Sequence, residues 1–426
     1  FTQLKLWYSQ AGTPKLSWQG DYDADAKQYR LTISQKTDPT PGQPDKKPLH
    51  MPISIGLLGA DGSDLVAKTV ELTEASQEFI FDGVTEAPVL SFNRGFSAPV
   101  NITSDAFNRW EAGQKYATRL MLSAIATYEA NGGDVDAAFA DEQARVDAFI
   151  AAMRVTLTND DLDKAFRADA LVLPGEAFLS EQRKPANPEA IYQVRTALRK
   201  RIGQALSDDF ANTYHQNASN AAFTPDATSA GQRALRATAL GYLVASGADE
   251  FADVAVAQYG TADNMTDQMA ALSVLNNLDH PGRETALADF EERFANDGVV
   301  LDKWFSLQAM SSRDDTLARI KDLMSHPAFT MRNPNKVRAL IGAFAMGNPR
   351  HFHAKDGSGY AFYADRLIEL DDINPQVAAR LCAPLGKWAK YDADRADKMK
   401  AELNRILAKP EISRDLYEIA SKSVAS

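Results

Sequence analysis

Three side chains near the C-terminal end of the chain combine residue types and spacing that suit the binding of a carboxylate. Arg338 lies four residues beyond Pro334. Gln376 and Arg380 lie one helical turn apart, just after the pair Asn374-Pro375. A helix that begins at Asn-Pro presents free backbone N–H groups and the positive end of its dipole at its first turn. Guanidinium groups at that level could hold a carboxylate through two parallel hydrogen bonds; the alternative is that both arginines only pair with surface acids.

The histidines and the single cysteine could supply metal ligands or a nucleophile. None of the six histidines stands in H-E-x-x-H, the helical pair that holds zinc beside a carboxylate base. The pair His351 and His353 has no obvious carboxylate or third ligand nearby, so loop histidines that bond neighbouring backbone are the favoured interpretation. Cys382 lies in a helical pattern without a CxxC partner, and we predict a buried, small apolar residue there.

Other catalytic motifs are also missing from the sequence. It contains no G-x-S-x-G elbow, no G-x-x-x-x-G-K-[ST] loop and no G-x-G-x-x-G after a strand. The stretch Asp356–Gly359 follows no strand, and we interpret it as a turn between helices rather than a phosphate-binding nest. Taken alone, these residues lack the parts of an active site.

The composition is typical of an ordinary globular protein of two to four domains. The chain has 426 residues, 45% of them hydrophobic, and a formal net charge of −11. The acidic balance argues against non-specific nucleic-acid binding, and no apolar run is long enough to span a membrane. One cysteine fits a reducing compartment, so we expect a cytoplasmic protein. Because the chain begins at Phe1 without a visible leader, we expect it to be a piece of a longer polypeptide.

Residues 14–103 show the period-two pattern of β-strands. Tyr29, Leu31 and Ile33 alternate with polar residues, and Ile53, Ile55 and Leu57 repeat the pattern. Turn pairs such as Asp61-Gly62 and Asp82-Gly83 separate the runs. About seven strands in this span predict a small Ig-like β-sandwich. The apolar and aromatic segment 1–13 is instead predicted to include the end of a helix that belongs to a preceding domain.

Residues 104–426 change to the helical period of 3.6. Ile191, Val194, Leu198 and Ile202 form one apolar stripe, while Arg195, Arg199 and Lys200 are predicted to face away from it. Helix-breaking pairs interrupt this region every 12 to 25 residues, among them Asn187-Pro188, His280-Pro281, His326-Pro327 and Asn348-Pro349. On the order of fifteen helices result, which is too many for one bundle. We therefore predict a large all-α superhelix of stacked helical hairpins, without a fixed repeat length.

Several stretches of the chain resemble the second half of bacterial aminopeptidase N, a family of zinc-dependent gluzincin aminopeptidases. The stretches that carry this resemblance are Leu6–Pro14, Pro48–Ile53, Gly95–Val100, Asn264–Asp267, Leu301–Phe305, Asn333–Tyr360 and Asn374–Leu381. They occur in the family's order and cover essentially the whole chain.

The resemblance implies a division of labour between two halves of one polypeptide. In the family, an upstream catalytic domain carries H-E-x-x-H, a further zinc-binding Glu and a G-A-M-E-N stretch for the substrate amine, none of which is present here. The helical domain closes over the zinc cleft and forms a chamber that admits peptides. Arg338, Gln376 and Arg380 match chamber-lining positions of the family.

The resemblance thus makes this chain the non-catalytic, substrate-gating portion of an aminopeptidase, inert when separated. Its expected partners are the upstream catalytic domain and a peptide substrate, with zinc only in the complete enzyme and no metal, nucleic acid or membrane bound by this portion. The alternatives are an independent helical scaffold or peptide-binding module, and a stand-alone enzyme that uses His351 and His353 as ligands.

Overall fold

A computed structural model describes residues 3–59, 64–92, 97–98, 101–102, 105–219 and 221–425. The chain divides into two compact units, Phe1–Ala112 and Gly113–Ser426. The predicted turn at Asp61-Gly62, the boundary residue Ser104 and most of the stretch 95–100 lie outside the described residues. The domain limits of 1–13, 14–103 and 104–426 stay predictions.

The strands of the first unit form two small sheets. In chain order they are β1 Lys15–Asp23, β2 Gln28–Lys36, β3 Met51–Leu58, β4 Asp64–Leu72, β5 Ser76–Asp82, β6 Val89–Ser91 and β7 Asn101–Ile102. One sheet has the order β5-β2-β1-β7 and the other β4-β3-β6. Strand β7 runs parallel to β1, and the other pairs are antiparallel.

The alternating residues of the sequence bury one face of each sheet. Leu31 and Ile33 of β2 are fully buried, as are Ile53 and Leu57 of β3, and these side chains belong to one apolar cluster. Arg30, which lies between the buried positions of β2, is exposed. Two sheets with a shared apolar interior and polar outer faces confirm the predicted small β-sandwich.

The aromatic opening segment contains a short helix, α1, at Leu6–Ser9. Its Trp7 indole nitrogen donates a hydrogen bond of 2.9 Å to the carbonyl of His50. The side-chain amide of Gln3 donates to the carbonyl of Thr73 at 2.6 Å. These hydrogen bonds hold the segment against the sandwich, while its assignment as the end of a helix of a preceding domain stays a prediction.

The second unit is helical, and its first helix begins within the first unit, at Asp105. Its helices are α2 Asp105–Ala130, α3 Gln143–Thr158, α4 Lys164–Ala170, α5 Glu176–Glu181, α6 Pro188–Ala205, α7 Ser207–Gln216, α8 Ala227–Ser246, α9 Asp249–Thr261, α10 Met265–Leu275, α11 Pro281–Arg293, α12 Gly298–Ala309, α13 Thr316–Leu323, α14 Pro334–Val337, α15 Ala343–Gly347, α16 Pro349–Phe352, α17 Ser358–Ile373, α18 Pro375–Leu381, α19 Ala393–Leu407 and α20 Arg414–Ala425. Short 3₁₀ segments occupy Ala137–Glu142 and Leu385–Lys390, and a π-helical turn occupies Arg338–Gly342. Within the described residues, none of these helices is both long and apolar enough to cross a bilayer.

Neighbouring helices stack into one continuous apolar core. Helix α8 packs on α6 and α10, α12 packs on α11 and α13, and α17 packs on α18 and α19. A single buried cluster runs through all of them. This arrangement confirms the predicted superhelix of helical hairpins.

The prediction for the polar side of α6 holds only in part. The stripe of Ile191 to Ile202 is buried and Lys200 is exposed as expected, but Arg199 is half-buried. Its guanidinium lies 5.5 Å from the ring centre of Tyr242 on α8, and burial lowers the pKa of Arg199. Arg195 is also half-buried, and its Nε donates a hydrogen bond of 2.9 Å to the carbonyl of Pro174. A helix inside a stacked array has neighbours on more than one side, so its polar face is only partly in water.

Several helix-breaking pairs act as N-caps, as the sequence indicates. The side-chain oxygens of Asn187 and Asn348 accept hydrogen bonds from backbone N–H groups at 3.3 and 3.2 Å, respectively. The Nδ1 atom of His280 does the same at 3.1 Å. Each cap satisfies an N–H group that the first helical turn leaves without a partner. His326 was expected to start a helix as well, but its Nδ1 accepts from the backbone N–H of Ala328 within a turn where no helix begins.

Two distant segments of the helical unit also meet, which the sequence did not predict. The backbone N–H of Ala186 donates to the carbonyl of Lys390 at 2.8 Å. The ammonium of Lys390 pairs with Glu181, and the guanidinium of Arg350 lies 4.5 Å from the ring centre of Tyr192. We call these contacts the closing joint. Glu181 and Lys390 are 209 residues apart in sequence, so the joint is a long-range contact.

The close crossing of α6 and α8 gives a stability prediction. A Cβ on Gly203 would lie 2.3 Å from the carbonyl oxygen of Tyr242 and 3.1 Å from the backbone nitrogen of Ser246. Because both are backbone atoms, no side-chain rotation relieves the clash. We expect Gly203→Ala to lower the free energy of unfolding by about 1–3 kcal/mol, measured by denaturant titration.

The matched control is Gly260→Ala in α9. A Cβ there meets nothing within 4 Å, so alanine should raise helix stability by up to about 1 kcal/mol. Equal effects of the two substitutions would contradict close backbone packing at Gly203.

Candidate functional site

The two candidate arginines lie on adjacent, exposed parts of the helical unit. Arg338 opens the π-helical turn that joins α14 to α15, and Arg380 lies near the end of α18. A Cβ on Gly342 would lie 3.8 Å from the Cβ of Arg338 and 3.5 Å from a terminal methyl group of Leu381, the neighbour of Arg380. The π-turn and α18 are therefore packed together, which sequence spacing alone could not establish. Gln376, one turn before Arg380, is also exposed.

Both helix starts are held by asparagine caps. The side-chain oxygen of Asn333 accepts a hydrogen bond of 2.9 Å from the backbone N–H of Asn335. Asn374 accepts one of 3.2 Å from the backbone N–H of Val377. The first turn of each helix is thus fixed, and the arginines follow within one turn of it. A π-turn inserted in a helix is often found at functional sites.

Neither guanidinium is neutralised by a nearby acid. Among the described residues, no carboxylate lies within 4 Å of Arg338 or Arg380. Arg338 makes one side-chain hydrogen bond, of 3.2 Å, to the amide oxygen of Asn335. The alternative that these arginines only pair with surface acids therefore does not describe this structure. The neighbouring Lys336 contrasts with them, because it is buried and pairs with Asp302 at 2.7 Å.

Exposed methionines flank the arginines. Met346 is 64% exposed, and its methyl group would lie 3.4 Å from a Cβ on Gly342. Met310, which is 45% exposed, contacts Gly347 and also lines a shallow cleft of about 560 Å³ on α12. Unbranched thioether side chains adapt to apolar groups of many shapes. The sequence analysis missed both methionines, because only their exposure distinguishes them from core residues.

We call Arg338, Gln376, Arg380, Met310 and Met346 the arginine–methionine surface. Its cations and its amide can bind carbonyl oxygens or a carboxylate, and its methionines can cover apolar side chains. A peptide offers both kinds of group. The surface contributes no general base or nucleophile, so its chemistry is binding rather than bond cleavage.

The two candidate histidines serve the interior of the helical unit. His353 is buried; its Nδ1 lies 2.8 Å from the hydroxyl of Tyr360, and its ring is 4.1 Å from that of Tyr391. Burial lowers the pKa of His353 to about 3. His351 is half-buried, and burial also lowers its pKa. His353 is therefore a packing residue within a cluster of aromatic side chains.

No metal site fits the described residues. They include no group of three His, Cys, Asp or Glu side chains that could hold an ion. Among these residues, the zinc that the resemblance implies for a complete enzyme has no set of ligands.

Cys382 is fully buried, which confirms the sequence prediction. Burial raises the pKa of its thiol to about 12. The side chain is therefore a neutral thiol, not a nucleophile. Asp356 accepts a hydrogen bond of 2.9 Å from the backbone N–H of Ser358 in a turn ahead of α17, as the interpretation of this stretch as a turn requires.

Comparison with known proteins defines the class of these two units. Residues 12–105 match a domain of unknown function with an Ig-like fold (DUF3458), and residues 99–425 match a domain of unknown function with ARM repeats (DUF3458_C). A β-sandwich joined to stacked helical hairpins is the architecture that both matches describe.

The relatives of the chain are aminopeptidases. It is 36% identical to aminopeptidase N of Escherichia coli and 40% identical to aminopeptidase N of Caulobacter vibrioides, covering 100% and 98% of this chain. A crystal structure of Legionella pneumophila aminopeptidase A in complex with aspartic acid matches 99% of the chain with a TM-score of 0.66 at 27% identity. The chain belongs to the DUF3458 and DUF3458_C family and corresponds to the C-terminal half of aminopeptidase N. It spans about half the length of these relatives, 50% and 49% of the two aminopeptidases N and 50% of the crystallised chain.

The buried His353 gives a prediction for the pH dependence of stability. Burial lowers the pKa of His353 to about 3 from an ordinary value of 6.5. Between these values the unfolded chain binds a proton that the folded chain does not, so the folded state loses stability as the pH falls from 6.5 towards 3. Between pH 6.5 and about 4.5, we expect the free energy of unfolding of His353→Gln to fall by about 2 kcal/mol less than that of the wild type. Denaturant unfolding at both pH values measures this, and equal losses in the two proteins would contradict it.

Proposed function

We propose that this chain is the substrate-gating, non-catalytic portion of a zinc aminopeptidase that removes N-terminal residues from peptides. The observation that carries the proposal is the pair of exposed guanidinium groups at Arg338 and Arg380, which no described carboxylate neutralises. The similarity to aminopeptidases N along the whole chain supports it. In this proposal the helical unit forms the wall of a chamber over a zinc cleft that another part of the polypeptide supplies.

The arginine–methionine surface then binds peptide on the side of the scissile bond away from the N-terminus. Arg338 and Arg380 hold peptide carbonyls or the C-terminal carboxylate, and Gln376 adds an amide between them. Met310 and Met346 cover apolar side chains of the same peptide. The contribution to catalysis is orientation and the exclusion of water, since this surface supplies no proton donor and no metal. The single, free cysteine, Cys382, accords with a cytoplasmic location.

The separated chain should have no activity of its own. We expect no hydrolysis of alanine or leucine chromogenic amides by the pure chain with added zinc. Co-expression with the catalytic half of aminopeptidase N should restore hydrolysis. Turnover by the pure chain, free of host peptidases, would refute the proposal. A specific partner other than the catalytic half, captured from lysate, would favour an independent peptide-binding scaffold instead.

Removal of the Arg380 guanidinium should affect long substrates more than short ones. In the complete enzyme, Arg380→Ala should lower kcat/KM for a tetrapeptide by roughly tenfold, since a charged hydrogen bond contributes about 1.5–3 kcal/mol. A single-residue amide does not reach the side chain, so its kcat/KM should stay unchanged.

The control is Arg293→Ala, which removes an exposed guanidinium that already pairs with Asp289 at 3.4 Å. It should leave both substrates unaffected. An equal loss on the tetrapeptide and the amide would exclude a role for Arg380 in holding the distant end of the peptide.

A further inference from the structure

A second polar cleft lies apart from the arginine–methionine surface. It is formed by the end of α7, the first half of α8 and the start of α10, and its volume is about 120 Å³. It contains Asn264 and Asp267 of the stretch Asn264–Asp267, which the sequence analysis singled out and the proposed function does not use. We call it the α7–α8–α10 cleft.

One side of this cleft carries two guanidinium groups one helical turn apart on α8. Arg233 lies 4.6 Å from the ring centre of Phe223 and donates to the carbonyl of Thr224 at 2.9 Å. Arg236 lies 4.6 Å from the ring centre of Tyr214 and donates to its hydroxyl at 3.1 Å. Stacking fixes both planes, and each Nε atom is buried without a hydrogen-bond partner among the described residues. No described carboxylate lies within 4 Å of either group.

The cleft also contains two carboxylates, neither of which forms an ion pair with these arginines. Asp263 and Asp267 both line it, and each accepts a hydrogen bond of 2.9 Å from the side-chain amide of Asn264. Asn217 adds an acceptor to the lining: the side chain is 5% exposed, its amide nitrogen donates to the carbonyl of Thr213, and its Oδ1 has no donor among the described residues.

The charges in the cleft are balanced but separated. A simple anion that bound the guanidiniums would also face two carboxylates, and a simple cation would face two guanidiniums. A ligand that carries both charges on neighbouring atoms meets both sets favourably. The pKa of Tyr214 is affected by charges of both signs. Burial, the largest effect, raises this pKa, Arg236 lowers it and Asp267 raises it.

We propose that the α7–α8–α10 cleft binds a small free α-amino acid, such as glycine or alanine. The carboxylate of the ligand lies against Arg233 and Arg236, and its ammonium lies towards Asp263 and Asp267. The volume of about 120 Å³ suits a molecule of this size. Binding requires no covalent step and does not depend on the proposed peptidase role.

Isothermal titration of the full chain with glycine and L-alanine tests the proposal. The expected result is saturable binding of one amino acid per chain, at least tenfold tighter than that of acetate or methylammonium, which each carry a single charge. Acetate binding as tightly as glycine would overturn the proposal in favour of a plain anion site. No saturable binding of either amino acid would overturn it as well, and would indicate that the cleft is only a solvent-filled space.

Two variants test the opposite ends of the ligand. Asp263 is exposed, and an asparagine there can still accept the hydrogen bond from Asn264, so Asp263→Asn should fold normally and weaken glycine binding at least tenfold. Arg233→Gln should weaken it similarly, with circular dichroism to confirm the fold. The matched control is Asp397→Asn, an exposed aspartate on α19 without an ion pair to the described residues. If Asp263→Asn binds glycine as the control does, the assignment of the ammonium end is wrong.

Discussion

The helical unit depends on satisfying the many helix ends that a stack of short helices creates. Each α-helix leaves four N–H groups without partners at its start, and burial of such a group costs free energy comparable to a lost hydrogen bond. Asparagine, aspartate and histidine caps provide the missing acceptors along the chain. Asn348 does more, because its amide also donates to the carbonyls of Ala309 and Ser311 and so joins one hairpin to the next. The caps at Asn333 and Asn374 fix the starts of α14 and α18, and thereby the positions of Arg338 and Arg380.

The arginines of the arginine–methionine surface differ from the buried arginines of the helical unit in exposure and in ion pairing. Arg167, which is 4% exposed, pairs with Asp160 at 2.9 Å, and Arg395, which is 3% exposed, pairs with Asp392 at 2.5 Å. Such pairs serve the fold, since an unpaired buried charge would be destabilising. Arg338 and Arg380 are exposed instead and have no acidic partner among the described residues. Their charges are therefore free to act on a molecule that enters from outside.

Sequence patterns predicted those parts of the structure that local rules govern. Alternation located the strands around Leu31 and Ile53, and the Asn-Pro pairs and His280-Pro281 located helix starts, whereas His326-Pro327 lies in a turn. The spacing also identified Arg338 and Arg380 as candidates. The packing of the π-turn against α18 near Gly342 could not be predicted, because it is a contact between helices far apart in sequence. Periodicity likewise placed Arg199 away from the apolar stripe but could not predict its contact with Tyr242, since a single-helix pattern contains no information on a second neighbouring helix.

The closing joint limits how this kind of domain can change over evolution. An open solenoid gains or loses a repeat at little cost, because each repeat contacts only its neighbours. Here the Ala186–Lys390 hydrogen bond and the Arg350–Tyr192 contact bring together helices that are far apart in the chain. A hairpin inserted or deleted between them would have to preserve these contacts, whereas substitutions and loops outside the joint leave them in place.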